Sequence, residues 1–544
     1  MPLTWRGAYA PEDGDYCIAE LDEDERASLV EVLGADDRPQ WDDLAVASQY
    51  RLPSRFPPAA EQEAEACRAP ASEPGGTRLD LREQLLFTID PEDARDHDDA
   101  LSWRPLGHGH HEVGIHIADV SHYVRPETAL DREALRRGVS CYLPGGVVPM
   151  LPERLSADLC SLRPGQDRFA LSALVRLDER GGVHEARFAE TLIRSRHRLH
   201  YGEVQQAFDG KLHLEDRLQD ALEHLRTLAR ALRARRMAAG ALDLEVPETK
   251  AWVDERGVPL RIERRPHFES HELIEEFMLL ANRCVGEEGA RRRAGVLYRI
   301  HEPPPASRLA DLEAMLRALG LPRPGAHAEP ARALQALLAV PLDPPHRRLV
   351  HRLVLRSLSR ARYAERDLGH FGLAARGYCH FTSPIRRYPD LHNHRRVREW
   401  IRGLRDAAWD PDALAATAET CTGTEQNATD AEREAVRVKG LRFLEGRLGE
   451  QGSGIITGLI PHGFFVELDD VPVDGFVRVG LYLDDYFVLD PSGVRLTGRR
   501  TRRRFSLGDS VRVTVARVDV PARECDLAIE TPPRRPGRRH RGRH

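Results

Sequence analysis

The chain has 544 residues, enough for three or four domains of roughly 150 residues, and its 41% apolar and 31% charged content is that of an ordinary globular protein. A formal net charge of −6 excludes a uniformly basic polyanion binder. No stretch approaches the run of about 18 apolar residues that a membrane-spanning helix needs, and eight cysteines without CxxC spacing indicate neither a zinc site nor a redox motif. Free thiols and the lack of a basic, apolar leader predict a cytoplasmic protein. Acid gathers in residues 11–43 and 61–65, and arginine gathers at Arg499 to Arg504 and again from Arg534. Such asymmetry points to a nucleic-acid partner.

The first element expected is a helix over Asp22 to Leu33, followed after the turn at Gly34 to Pro39 by a second short helix from Trp41 to Gln49. Residues 1–56 are therefore expected to form a small helical N-terminal domain. Two short helices and a turn fit a helix-turn-helix, winged or not, and fit equally well a helical cap with no nucleic-acid role. Residues 57–79 are rich in Pro, Ala, Glu and Gly and read as a linker. Strands follow at Leu85 to Ile89, Val113 to Val120 and Phe169 to Leu177. Helical patterns then cover residues 213–237, 269–292, 307–319, 345–367, 386–403 and 411–445. Residues 80–445 are thus expected to be a mixed α/β domain with a helical second half. Five short strands between Gly454 and Ile529 suit a small OB-type barrel over 446–530. The basic tail, 531–544, is too polar to fold alone. The whole reads as an α/β multidomain protein with a C-terminal OB-fold.

The most informative stretch runs Phe87-Thr88-Ile89-Asp90-Pro91-Glu92-Asp93-Ala94-Arg95-Asp96-His97-Asp98-Asp99. Pro91 stops a central strand, so the carboxylates project from a strand end and the loop beside it. Like charges packed together raise one another's pKa. A divalent cation removes that penalty, and hard oxygen ligands suit Mg2+ or Mn2+. Two such ions could activate a water and stabilise a leaving oxygen in phosphodiester hydrolysis. A Ca2+ loop of EF-hand type does not fit the spacing. On this segment alone, metal binding and a solvated turn both stand.

The segment resembles the signature of the RNase II / RNase R family of exoribonucleases, and further motifs keep the family's order. These are His116-Ile117-Ala118-Asp119-Val120-Ser121-His122, Tyr142-Leu143-Pro144 with Val148-Pro149-Met150, Leu155 to Leu162, Glu275-Glu276 with Ala281-Asn282, His301-Glu302-Pro303-Pro304, and Gly369 to Ala374. The most specific is His380-Phe381-Thr382-Ser383-Pro384-Ile385-Arg386-Arg387-Tyr388-Pro389-Asp390. The resemblance implies a processive 3′-to-5′ exoribonuclease that hydrolyses single-stranded RNA to nucleoside 5′-monophosphates. It implies Mg2+, with Mn2+ as a substitute and two ions when substrate is bound. Asp90, Asp96, Asp98 and Asp99 become the metal and catalytic carboxylates, and Arg386 the catalytic arginine. Tyr142 becomes an aromatic that stacks on the terminal bases, with Tyr201 lining the same channel. Glu432 becomes an acidic channel residue, and Glu275 or Glu276 the reader of ribose hydroxyls. Tyr378, His380 and Arg387 complete the RNA-contacting set. The expected partner is single-stranded RNA with a free 3′ end, bound by a monomer without a small-molecule cofactor.

The residues themselves support Arg386. Thr382 or Ser383 can cap a helix with Pro384 in its first turn, which would place Arg386 and Arg387 beside the positive end of the helix dipole. An anion held there explains two such arginines; a plain ion pair with Asp390 is the alternative. His116, His122 and His380 read as supporting groups rather than metal ligands. Two features depart from the family. Its members usually begin with two cold-shock-type barrels, for which too little chain precedes the catalytic motif. Leu244 also stands about where some members carry a second stacking phenylalanine. A catalytically silent RNA-binding regulator and an endoribonuclease on structured RNA are the rival readings.

Overall fold

The structure is a computed structural model, and it describes residues 14–21, 27–35, 38–70, 78–244, 248–324, 329–404 and 409–529. The chain opens on an antiparallel hairpin, β1 (Asp15–Leu21) and β2 (Ala27–Ala35), then a 3-10 turn and helix α1 (Asp42–Gln49). The second predicted helix is therefore found, but the first is strand from Ala27 onward, and no helix-turn-helix pair forms among the described residues. The run Leu29-Val30-Glu31-Val32-Leu33 places β-branched residues two apart, and these prefer a ladder to a helix. Pairing with β1 decides the competition.

Charge fixes α1 to the rest of the molecule. Asp42 is fully buried and accepts hydrogen bonds from Lys439 Nζ at 3.1 Å and Arg442 Nη2 at 3.0 Å. Lys439 is itself fully buried. Asp42→Ala removes the nearest counter-charge of that ammonium and leaves it only Asp43, at 3.9 Å. It is expected to destabilise the docked N-terminal unit by about 3–5 kcal/mol, seen as a separate early transition in urea and as proteolytic cutting near residue 52.

Helix α2 (Pro58–Ala66) occupies the span predicted as linker. Proline at its first position and a close-packing alanine face, Ala60 and Ala64, make it a docked helix. Its Glu63 accepts the Ala129 and Leu130 amides at 3.0 and 2.8 Å. The remainder of that span, 71–77, and the predicted tail at 531–544 lie outside the described residues.

The large sheet contains β3 (Leu79–Asp80), β4 (Leu86–Asp90), β5 (Asp99–Gly107) and β6 (His110–Ala118). The chain then leaves it for α3 (Val120–Tyr123), α4 (Ala129–Arg137) and a small hairpin, β7 (Cys141–Leu143) and β8 (Gly146–Val148). It returns as β9 (Asp167–Asp178), β10 (Val183–Arg194) and β11 (His197–His200). The strand order is β11-β4-β5-β6-β9-β10-β3, antiparallel except for the two outer pairs, β11 with β4 and β10 with β3. Residues alternate between two cores. Phe87, Ile89 and Leu101 face α6 (Asp216–Ala239) and α7 (Glu269–Arg292), which follow α5 (Tyr201–Phe208). Leu86 and Ala100 face α2 and α4. This period of two is what pleating dictates.

His116 lies inside the sheet, with Nε2 2.9 Å from Ser102 Oγ and Nδ1 2.7 Å from Ser172 Oγ. Burial pushes its pKa down to about 3. The unfolded chain therefore gains a proton below about pH 6.5 that the folded chain refuses, and stability is lost as pH falls. Relative to wild type, His116→Gln is expected to gain about 2 kcal/mol between pH 7 and pH 5, measured by urea unfolding at both values.

The second half carries a hairpin, β12 (Thr249–Val253) and β13 (Pro259–Arg264), and a two-strand ladder, β14 (Tyr298–Ile300) with β15 (Arg362–Ala364). Helices α8 (Ala306–Leu319), α9 (Pro330–Leu338) and α10 (Pro344–Ser357) lie between the ladder's strands in sequence. Helices α11 (Tyr388–Ile401) and α12 (Pro411–Glu445) follow. At 35 residues, α12 spans roughly 50 Å. It shares one apolar core with the C-terminal barrel. That barrel closes β16 (Gln451–Ile460), β17 (Gly463–Leu468), β18 (Asp474–Arg478), β22 (Ser510–Asp519) and β23 (Glu524–Ile529), as the sequence predicts. The small sheet β19 (Phe487–Leu489), β20 (Arg495–Gly498) and β21 (Arg504–Ser506) is inserted between β18 and β22. Among the described residues no helix is long and apolar enough to cross a membrane.

Candidate active site

Strands β4 and β5 are antiparallel neighbours, so the end of one and the start of the next lie at the same edge of the sheet. Asp90 closes β4 and Asp99 opens β5, and the loop between them supplies Asp96 and Asp98. Pro91 ends the strand and its carbonyl accepts the Ala94 amide at 3.1 Å, starting the turn. The loop is held from below by Ser161, whose Oγ accepts the His97 amide at 3.1 Å and donates to the Arg95 carbonyl at 2.9 Å.

Asp90, Asp96 and Asp98 each have a partner on the protein. Asp90 Oδ2 lies 2.8 Å from His97 Nδ1, and Asp96 Oδ2 accepts from the Tyr142 hydroxyl at 2.8 Å. Asp98 is buried; its Oδ1 accepts the Ile385 amide at 3.0 Å, and its Oδ2 lies 3.5 Å from Arg386 Nε. Burial, then the charge of Asp90, pushes the Asp99 carboxyl up to about 8 against the pull of Arg386 and Arg387. Burial also raises the Asp98 carboxyl well above its ordinary range, with Asp96 and Asp99 adding to the effect and Arg386 opposing it. Negative charge here is thus crowded and poorly solvated.

Arg386 does not sit in a helix. Residues 384–387 form a turn, and α11 begins at Tyr388 with Pro389 at its start. The cap predicted at Thr382 or Ser383 does not form, because Pro389 supplies the preset φ of a first helical turn five residues further on. The Arg386 side chain is 42% exposed, anchored loosely by Asp98 and by Ser383 Oγ at 3.1 Å. Arg387 makes the ion pair instead, with two bonds to Asp390 at 2.9 and 2.8 Å.

Tyr142, 39% exposed, projects from the β7–β8 hairpin, and its backbone amide donates to Glu432 Oε1 of α12 at 2.7 Å. Burial and nearby Glu248 raise the Glu432 carboxyl, while the Tyr142 amide and Arg386 pull it back. Tyr201 stacks on His271 at 3.9 Å and 12°, and its hydroxyl feels the charges of Asp99, Asp90 and Glu275. Glu275 is largely exposed and lies 2.9 Å from His267.

Three residues expected to touch RNA are committed elsewhere. Glu276 is buried against Arg236, so Glu275 is the one of the pair that faces outward. Tyr378 is buried, and its hydroxyl accepts from Asn282 Nδ2 at 3.2 Å. Arg387 is held by Asp390. Glu276 is satisfied by Arg236 of another helix, while Tyr378 and Arg387 are satisfied by Asn282 and Asp390, residues of the recognised motifs themselves. His380 is a supporting group, its Nδ1 2.9 Å from the Tyr363 hydroxyl. His97 and Ser161 were missed by sequence reasoning. For His97 the signal was its place between two aspartates.

Among the described residues no three ligand-type side chains form a finished metal cage. The donor set still fits a divalent ion. Hard carboxylate oxygens crowd a buried edge where added positive charge is favoured, and Mg2+ commonly takes only one or two carboxylates and completes its shell with water and substrate phosphate. Asp90, Asp96, Asp98 and Asp99 are the residues that would hold it.

Carboxylates at a strand end with an available arginine beside them form an arrangement suited to phosphodiester hydrolysis. The comparisons make this specific. Residues 78–403 match the RNB domain model and residues 447–530 the S1 RNA binding domain model. Ribonuclease R of Aquifex aeolicus is 39% identical over 91% of this chain and 71% of its own length. Ribonuclease R of Escherichia coli is 34% identical over 91% of this chain, which spans 62% of that protein. Mycoplasma genitalium RNase R, solved with ribose-methylated single-stranded RNA, superposes with a TM-score of 0.90 at 28% identity, covering 97% of this chain and 85% of that one. Yeast Ssd1, described as a pseudonuclease, shares the fold at a TM-score of 0.72 and 19% identity, covering 91% of this chain and 65% of its own. The chain belongs to the ribonuclease R family of RNB-domain exoribonucleases, enzymes of 3′-to-5′ RNA degradation.

Proposed function

We propose that this chain shortens single-stranded RNA processively from a free 3′ end in the cytoplasm, as a monomer, releasing nucleoside 5′-monophosphates. The observation that carries this reading is the four-carboxylate edge of β4 and β5 with Arg386 held loosely beside it. Asp90, Asp96, Asp98 and Asp99 would hold divalent cations, two with substrate present, Mg2+ ordinarily and Mn2+ as a substitute. Bound there, the cations supply charge neutralisation, an activated water and relief of the leaving oxygen.

The protein's own groups do the rest. His97 and Tyr142 fix the carboxylates of Asp90 and Asp96 by hydrogen bonds. The exposed Tyr142 ring offers a face to a terminal base, a contact worth about 1–3 kcal/mol without regard to sequence. Glu275, the outward-facing member of its pair, would read a ribose hydroxyl, with Tyr201 lining the same channel. Arg386 reaches the scissile phosphate and stabilises the charge that grows on its oxygens as water attacks and the P–O3′ bond breaks. The barrel supplies sequence-independent contacts, with the exposed aromatics Phe465 and Tyr486 and the cation of Arg499 over the Tyr486 ring at 4.9 Å.

Digestion in 18O-labelled water with Mg2+ tests this reading. The label is expected in the 5′-phosphate of released mononucleotides. Products ending in a 3′-phosphate, or RNA binding with no turnover, overturn it.

A further inference from the structure

The β7–β8 hairpin that carries Tyr142 has only three residues in each strand. A ribbon of that size does not hold its own geometry in water. Two carboxylates hold it from outside. At its base Glu432 of α12 accepts the Tyr142 amide at 2.7 Å. At its tip Asp43 of α1 accepts the Gly145 amide at 2.5 Å. A Cβ at Gly145 would meet the same Asp43 oxygen at 2.6 Å, so the contact is made to bare backbone. Packing beneath the hairpin is incomplete. A cavity of about 260 Å3 lies there, bounded by Tyr50, Leu52, Val139, Cys141, Val148 and Asn427. Asp43 is carried on α1, which the buried Asp42 ties to α12, and its second oxygen lies 3.9 Å from Lys439 Nζ.

We infer that Asp43 is a positioning residue for RNA: through it the N-terminal unit sets the hairpin so that the Tyr142 ring is presented to the terminal bases. The inference rests on the stacking role proposed above for Tyr142. It gives the short N-terminal unit a function at the site itself, 102 residues away in sequence along the Asp43–Gly145 bond.

A double-mutant cycle on the full chain tests it, with KM and kcat measured on 5′-labelled single-stranded RNA. Tyr142→Ala and Asp43→Ala are each expected to raise KM about tenfold. Tyr142→Ala should lower kcat as well, because it removes the hydroxyl that holds Asp96, and Asp43→Ala should lower kcat no further than Tyr142→Ala does. The double variant should match Tyr142→Ala alone, since the hairpin then has no ring to present. Asp43→Asn should restore the wild-type KM, because its amide oxygen still accepts from Gly145. An additive double variant, a fall confined to kcat, or failure of Asp43→Asn to rescue shows general destabilisation and overturns the inference. A KM effect of Tyr142→Ala with none from Asp43→Ala overturns the inference alone. No effect of Tyr142→Ala overturns the stacking reading and the inference with it.

Discussion

Asp99→Asn is expected to lower kcat on single-stranded RNA by about a thousandfold while KM stays within about threefold. The substitution keeps volume and shape and removes one hard, charged oxygen ligand at the edge where β5 begins. In ion-free protein it should also raise the melting temperature. The Asp99 carboxyl is half-buried beside Asp90, and desolvation with the Asp90 charge holds it up near 8, far above its unfolded value. Near neutral pH the folded state therefore keeps a proton that the unfolded chain releases, and folding bears that difference. An amide has no such proton to keep. The same variant should blunt the rise in melting temperature that Mg2+ gives the wild type, since binding to the folded state stabilises by mass action. Steady-state kinetics and thermal melts in EDTA and in Mg2+ check all three points. A variant within tenfold of wild type would remove Asp99 from the chemistry.

Arg386→Lys is expected to cost about a hundredfold in kcat with little change in melting temperature. The guanidinium is loosely held and nearly half exposed, so little folding energy depends on it. Its planar fork can take two phosphate oxygens at once, which an ammonium cannot. The neighbouring arginine behaves in the opposite way. Arg387 is paired through two bonds with the fully buried Asp390. Arg387→Lys breaks one of them inside the protein, so it should lower the melting temperature first and reduce kcat only in proportion to the folded fraction. Kinetics and melts of the two variants side by side separate chemistry from support. Equal kcat losses at equal stability would contradict the assignment.

Three strands of the seven-stranded sheet were legible, Leu85 to Ile89, Val113 to Val120 and Phe169 to Leu177, because they are apolar and buried, with Phe87 and Ile89 on one face and Leu86 on the other; β10 was not, its first half being exposed. The barrel was legible for the same reason. A proline, a strand end and five aspartates within ten residues marked the segment, and the family resemblance singled out Asp90, Asp96, Asp98 and Asp99 among them. Tertiary choices were not readable. Val30 and Val32 favoured β2 over a helix only because β1 lies beside them. Residues 58–66 looked like linker until Glu63 found the start of α4. Glu275 and Glu276 are adjacent and chemically alike, and only Arg236 on another helix decides which one is buried. The same holds for the two arginines after Ile385, whose fates depend on Asp390 and on where the following helix starts.

One RNA sequence, offered with Mg2+ both as a linear 5′-labelled strand and as a closed circle, tests the central claim most directly. The wild type should shorten the linear strand from its 3′ end and leave the circle intact, and Asp99→Asn should act on neither. Cleavage of the circle, or a linear strand shortened equally by the variant, would contradict the assignment of this aspartate edge to exonucleolytic cutting.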